Sequence, residues 1–162
     1  MEQILINPDR CLSCHSCELA CAVEHSFSKE LFAAVLGKER TKPRIFVETD
    51  GEINLPLQCR HCQEPMCVNA CMTGALSKDA TTGKVLFNQD KCVGCWMCVM
   101  TCPFGTIEQD MSEKIISKCD RCPDREQPAC ANACPTGAIR YTKVADFAHD
   151  QRKHYLTNFT NS

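Results

Sequence analysis

Sixteen cysteines stand in this chain in four groups of four, with none left over. The first group is Cys11, Cys14, Cys17 and Cys21, and the second is Cys59, Cys62, Cys67 and Cys71. The third is Cys92, Cys95, Cys98 and Cys102, and the fourth is Cys119, Cys122, Cys130 and Cys134. The gaps between successive cysteines are two-two-three, two-four-three, two-two-three and two-seven-three residues, so the outer gaps are fixed and only the middle one stretches. Flanking words repeat too: "ACMTGALS" resembles "ACPTGAIR", and "NPDRC" resembles "NQDKC". Self-similarity of this kind marks duplicated small units. Any fold of this chain must first accommodate its close-set thiols.

In a secreted protein this many cysteines in 162 residues would form a disulfide scaffold. The opening "MEQILINPDRC" has no basic n-region, no apolar stretch of signal length and no small-residue cleavage site. The expected location is therefore a reducing cytoplasm, where such spacing means metal or redox chemistry. The longest apolar runs, such as Leu31 to Leu36, are six residues, against the roughly 20 that a crossing helix needs. No membrane span is expected, and the absence of a basic stripe argues against nucleic acid. With 44% hydrophobic residues and 6% aromatics the core is modest and calls for staples.

The spacing names the staple. Each two-residue step of a CxxCxxC loop carries the next thiolate to another corner of a cubane. The three residues after the third cysteine make about one helical turn, which carries the fourth thiolate toward a second cube, as in two-cluster ferredoxins. Pro103 and Pro135 follow the fourth cysteine in two groups, where proline ends the turn and releases the chain. Zinc in four-thiolate sites is the alternative, but zinc pairs CxxC knuckles rather than two-two-three runs.

With "CRHC…PMCVNAC", "GKVLFNQDKCVGCWMCVMTCPFG" and "CDRC…PACANACPTGAI", the chain resembles the four-cluster ferredoxin-type electron-transfer subunits that accompany molybdopterin oxidoreductases, formate hydrogenlyases, hydrogenases and carbon monoxide dehydrogenases. "CELACAVEHS", "QCRHC" and "CVGCWMC" look closest to the iron-sulfur protein associated with carbon monoxide dehydrogenase. The resemblance implies four [4Fe-4S] clusters whose quartets exchange their last cysteines. The implied ligand sets are Cys11, Cys14, Cys17 with Cys134; Cys119, Cys122, Cys130 with Cys21; Cys59, Cys62, Cys67 with Cys102; and Cys92, Cys95, Cys98 with Cys71. Some relatives carry tryptophan in place of one cysteine of the third group; here Trp96 lies between Cys95 and Cys98 and all four cysteines remain. The first and second groups depart from the pattern, with Ala22 and Met72 where the others have proline.

The fold class expected is α+β: two nested ferredoxin-like two-[4Fe-4S] modules, a polyferredoxin, with a helix-strand insertion. Residues 1–25 plus 112–144 would form the outer module, and residues 57–111 the inner one. The insertion, 26–56, reads as a helix from Ser28 to Leu36 stopped by Gly37, then a strand folded at Asp50-Gly51. "GALSKDATTGKVLF" reads as a hairpin, the N-terminal strand is left to pair near "GAIRY", and the tail 145–162 carries Phe147, Gln151, Tyr155, Leu156 and Phe159 at helical spacing. His15 and His61 are read as solvated or as neighbours of the clusters that tune potential through hydrogen bonds, Trp96 as a shield against water or part of an electron path, and Arg121 and Arg125 as solvated, as drawing an acidic partner or as offsetting cluster charge. No GxGxxG, phosphate loop, HExxH or spare cysteine is present, so no catalytic site is expected. The function implied is electron relay between a redox enzyme (carbon monoxide dehydrogenase, hydrogenase or formate dehydrogenase type) and an acceptor such as a flavin-dependent NAD(P) reductase. The alternative is a docking module that uses metal only to fold.

Overall fold

A computed structural model describes residues 2–37 and 41–160; residues 38–40 of the expected insertion and 161–162 of the expected tail lie outside them. In chain order the strands are β1 Glu2–Ile6, β2 Ile45–Thr49, β3 Asn54–Gln58, β4 Leu76–Lys78, β5 Val85–Phe87, β6 Ile107–Asp110, β7 Ile115–Lys118 and β8 Ile139–Lys143. The helices are α1 Ser16–Glu24, α2 Leu31–Leu36, α3 Met66–Asn69, α4 Met97–Thr101, α5 Ala129–Asn132 and α6 Val144–Thr160. The chain is thus a small mixed α and β fold whose strands pair two by two, all antiparallel: β1 with β8, β2 with β3, β4 with β5 and β6 with β7.

Local chemistry sets the turns. Asp50 Oδ1 accepts from the Glu52 and Ile53 N–H groups at 3.0 and 2.8 Å, which folds β2 onto β3 at the expected place. The helix expected from Ser28 begins at Leu31 instead. Ser26 Oγ accepts from Lys29 N–H at 3.1 Å and Ser28 Oγ from Glu30 N–H at 3.3 Å, so side chains hold this stretch in a turn and compete with the helix. The tail is helical as α6, fastened where Arg140 meets Asp150 at 2.6 Å and lies over the Phe147 ring, while Tyr155, Leu156 and Phe159 face outward.

Register reveals the duplication. Ile6 pairs with Ile139 across β1 and β8, and the Asn7 N–H then reaches the Ala138 carbonyl at 2.8 Å. In the middle of the chain Leu76 pairs with Phe87, and the Asn88 N–H reaches the Ala75 carbonyl at the same 2.8 Å. Each asparagine then caps a short 3-10 turn through its side chain, accepting from Asp9 N–H or Asp90 N–H, and delivers the next cysteine, Cys11 or Cys92. The repeated words of the sequence therefore perform the same backbone task twice.

Two cores result. The terminal core joins Ile4, Cys17, Cys21, Ile45, Cys119, Cys130 and Ile139, drawn from both ends of the chain and from β2. The central core joins Leu76, Val85, Cys98, Ile107 and Ile116.

Candidate metal centres

Each cysteine group is a loop followed by a helix that starts one residue before the third cysteine, at Ser16, Met66, Met97 and Ala129. In all four loops the residue ahead of the second cysteine has a positive φ: Ser13 51°, His61 50°, Gly94 65° and Arg121 64°. A left-handed residue here turns successive N–H groups to one side and makes a concavity suited to an anion. Only Gly94 signalled this conformation in the sequence. Where the middle gap is two residues, a second left-handed residue, His15 or Trp96, opens the helix; where it is longer, Pro65 or Pro128 does. After the fourth cysteine, groups two, three and four share one turn, in which the glycine three residues on returns its N–H to the cysteine carbonyl at 3.2–3.4 Å. Met72 changes nothing in that turn. The first group departs: with Ala22 after its last cysteine and Glu24 in place of the turn glycine, α1 runs straight through Cys21 to Glu24, whereas α3, α4 and α5 all stop before their fourth cysteine.

The fold brings cysteines of different groups together. Cys11, Cys14, Cys17 and Cys134 line one hollow, beside Val47, Pro56 and Ile139. Cys71, Cys92, Cys95 and Cys98 line another, beside Leu76, Phe87, Trp96 and Ile116. Cys21, Cys119, Cys122 and Cys130 are all buried, and the thiols of Cys119, Cys21 and Cys122 lie near enough to act on Cys130. Cys59 and Cys102 act in the same way on Cys67, with Cys62 on the same loop.

These thiols suit a cationic metal-sulfur group. Burial pushes Cys17 up to about 12, Cys119 up to about 12 and Cys98 up to about 11, so they stay protonated unless a positive centre takes up the thiolate. Burial also works on Cys71 and Cys134, but backbone N–H groups and the Thr73 and Thr136 hydroxyls outweigh it and hold both below their ordinary value. Cys21 has no such threonine; its Sγ accepts from the Arg44 N–H at 3.2 Å and lies 3.6 Å from His25 Nδ1. His25 Nε2 in turn meets Asp120 at 3.2 Å, and Arg44 meets the other carboxylate oxygen. Nothing in the residue pattern signalled Arg44, whose backbone serves Cys21 while its guanidinium holds Asp120.

His61 carries the clearest sign of a missing acceptor. The Val85 N–H donates to its Nδ1 at 2.9 Å, so the ring proton sits on Nε2, which is buried and has no partner. Burial first, then the Lys118 and Arg121 charges, push this histidine down to about 2 and keep it neutral. A buried donor left unpaired is costly, and a cluster sulfur is an acceptor of the right kind. His15, by contrast, is exposed and pairs with Glu18 at 2.8 Å. Trp96 is half-buried at the rim of the second hollow. Arg125 meets Glu24 at 2.7 Å, and Arg121 is not solvated but buried at 7% exposure beside Cys119 and Cys59, where of its expected roles only the offset of cluster charge has room.

Residues 52–144 match the family described as "4Fe-4S dicluster domain", and residues 8–24 match a "4Fe-4S binding domain". An "Iron-sulfur protein" of Rhodospirillum rubrum is 41% identical over 153 residues, covering 85% of this chain and 80% of that one. The "Electron transport protein HydN" of Escherichia coli is 36% identical, covering 84% and 85%. The "Aliphatic sulfonate oxidoreductase, polyferredoxin-like subunit" of Pyrococcus furiosus is 37% identical, covering 81% and 70%. Two longer Escherichia coli relatives also match, and the chain spans only 21% and 19% of their lengths. With sulfur-only quartets, N–H-lined loops and an orphaned donor in place, the chain is an iron-sulfur protein that belongs to the family of 4Fe-4S dicluster domains.

Proposed function

We propose that the protein holds four [4Fe-4S] clusters in two nested two-cluster modules and relays electrons between a redox enzyme and an acceptor, with no catalytic site of its own. The ligand sets are Cys11, Cys14, Cys17, Cys134; Cys119, Cys122, Cys130, Cys21; Cys59, Cys62, Cys67, Cys102; and Cys92, Cys95, Cys98, Cys71. The observation that carries the reading is the meeting of sulfurs across groups: Cys134 closes the hollow of the first loop, and Cys71 that of the third. Each cluster, when bound, supplies one-electron transfer. The chain's own residues supply the rest: thiolates, inward N–H groups, the His61 proton and apolar walls such as Ile139 and Ile116 that keep water away. The names of the relatives, an electron transport protein and an oxidoreductase subunit, favour the same reading. The partner would be an enzyme of carbon monoxide dehydrogenase, hydrogenase or formate dehydrogenase type, and the acceptor a flavin-dependent NAD(P) reductase, in a reducing compartment such as the cytoplasm. Among the described residues no helix is long and apolar enough to cross a membrane, so membrane attachment by such a helix forms no part of the proposal.

The test is iron and acid-labile sulfide per chain on anaerobic protein, with an EPR spectrum after reduction. About sixteen of each, from four irons and four sulfides per cubane, is expected. Stoichiometric zinc with little iron would make the protein a colourless docking module instead.

A further inference from the structure

Strand β7 alternates, with Ile116 and Lys118 buried and their neighbours less so. Period two therefore points a lysine inward, one residue ahead of Cys119. Lys118 is 4% exposed, and its ammonium donates to the Val85 carbonyl at 2.7 Å and the Cys119 carbonyl at 2.8 Å. Both acceptors are neutral. None of the ion pairs found among the described residues includes it. A buried ammonium demands a counter-charge. Burial disfavours its charge, and the negatively ionisable groups that most oppose this are Cys59, Cys119, Asp120 and Cys67, of which Asp120 is already engaged by Arg44 and His25. That leaves sulfur. Cys59 and Cys67 come from the second cysteine group and Cys119 from the fourth, so Lys118, like the buried Arg121 beside Cys119 and Cys59, stands between two quartets. Cys59 also packs against the terminal core that contains Cys119, which makes this the junction of the two halves. Lys78 differs: it is only half-buried, and its ammonium reaches three carbonyls, those of His61, Cys62 and Gly83.

We propose that Lys118 is a positioning charge that sets the reduction potentials of the two cluster sites flanking it, that of Cys59, Cys62, Cys67 and Cys102 and that of Cys119, Cys122, Cys130 and Cys21, and holds both above the other two. The inference rests on the four-cluster reading given above. A fixed positive charge in a poorly screened interior stabilises the form carrying one more electron. Adding that electron makes the flanking site more negative by one, and no proton or ligand moves. None of Cys11, Cys14, Cys17 and Cys134, nor of Cys92, Cys95, Cys98 and Cys71, is among the groups that act most on Lys118, so these two sites should feel its charge less.

The experiment is a potentiometric titration followed by EPR on the full, anaerobically prepared chain, wild type against Lys118→Met and Lys118→Arg, with iron and sulfide counted in each. In Lys118→Met the reduced-to-oxidised ratio of two clusters at a given potential should fall about tenfold, which is about 59 mV for a one-electron couple. The other two should stay in place, and Lys118→Arg should stay near wild type. Unmoved potentials, or an equal fall in all four, with wild-type iron content, would overturn the proposal while leaving the four-cluster reading intact. Wild-type protein lacking iron would overturn that reading instead. If Lys118→Met fails to assemble, the wild-type titration decides alone: two clusters must reduce before the other two and show mutual magnetic coupling at that stage, and four equal or uncoupled steps would overturn it.

Discussion

The terminal and central cores obey the same cysteine cadence and are built from different materials. Of the terminal core's buried members, Cys17, Cys21, Cys119 and Cys130 are sulfur and only Ile4, Ile45 and Ile139 are aliphatic. The central core has Leu76, Val85, Ile107 and Ile116 with Cys98 alone. A buried thiol packs like a small hydrophobe, but four facing one another hold little together until a metal joins them. The terminal half therefore depends on its clusters for cohesion, while the central half has an aliphatic floor beneath them.

The sharpest way to break this comparison is to remove the iron. Chelation under anaerobic, reducing conditions should abolish most native circular dichroism, because a core this small needs its staples. Residual amide protection should survive only in the β4–β5 and β6–β7 pairs. A native-like apo spectrum, or both halves losing protection together, would refute the contrast. During graded chelation Cys21, Cys119, Cys122 and Cys130, buried while the terminal half holds, should open to an alkylating agent as its clusters leave, ahead of Cys98 in the central core.

A smaller effect separates the sister loops. Ala22→Pro inserts proline inside α1, removing a helix hydrogen bond, and should cost about 3 kcal/mol. Pro103→Ala, at a site where the chain has already left the helix, should cost under about 1 kcal/mol. Denaturation followed by loss of visible absorbance measures both; equal losses would mean that the fourth cysteine does not distinguish the loops.

Smaller again is a pH effect confined to the terminal half. Burial alone would lower His25, but its hydrogen bonds to Asp120 and Cys21 outweigh it and push it up to about 9. A raised histidine contributes stability fully below its unfolded value near 6.5, and that contribution fades as pH rises toward 9. Asp120 is 37% exposed, so screening limits the pair to about 1 kcal/mol. Wild-type stability should decline across that window, and His25→Gln should flatten the slope; an unchanged slope would remove His25 from the account. The smallest effect expected is that of Phe159→Ala on α6, where the ring is exposed and touches Tyr155, within about 0.5 kcal/mol by thermal denaturation.

Much of the architecture was written in local chemistry. Asp50-Gly51 announced the β2–β3 turn, Thr82-Gly83 the β4–β5 turn, and the kinship of "NPDRC" with "NQDKC" the equivalent caps at Asn7 and Asn88. What escaped has physical reasons. Ser13, His15, His61, Trp96 and Arg121 adopt left-handed conformations that their side chains do not advertise, because the loop around the sulfurs dictates them. The passage of α1 through Cys21 goes with Glu24, which stands where the other groups have the turn glycine Gly74, Gly105 or Gly137, but the partners of Cys21 come from Arg44 and His25, which only the fold brings near. Lys118 was legible in principle, since alternation along "IISK" aims it inward with Ile116.

The pairing of β1 with β8 has a consequence for how the protein is made. Residues enter the cell one at a time, at about 5–20 per second, and Ile6 must wait for Ile139 before its strand can close. Cys11, Cys14 and Cys17 therefore stand outside the ribosome for on the order of ten seconds before Cys134, which shares their hollow, is synthesised. Cys71 and Cys92 meet after only a short hairpin. The centre of the molecule can thus take its metal while the chain is still growing. The terminal half keeps its earliest thiols open to oxidant and stray cations until synthesis is nearly over, and the supply of iron and sulfide matters most at that moment.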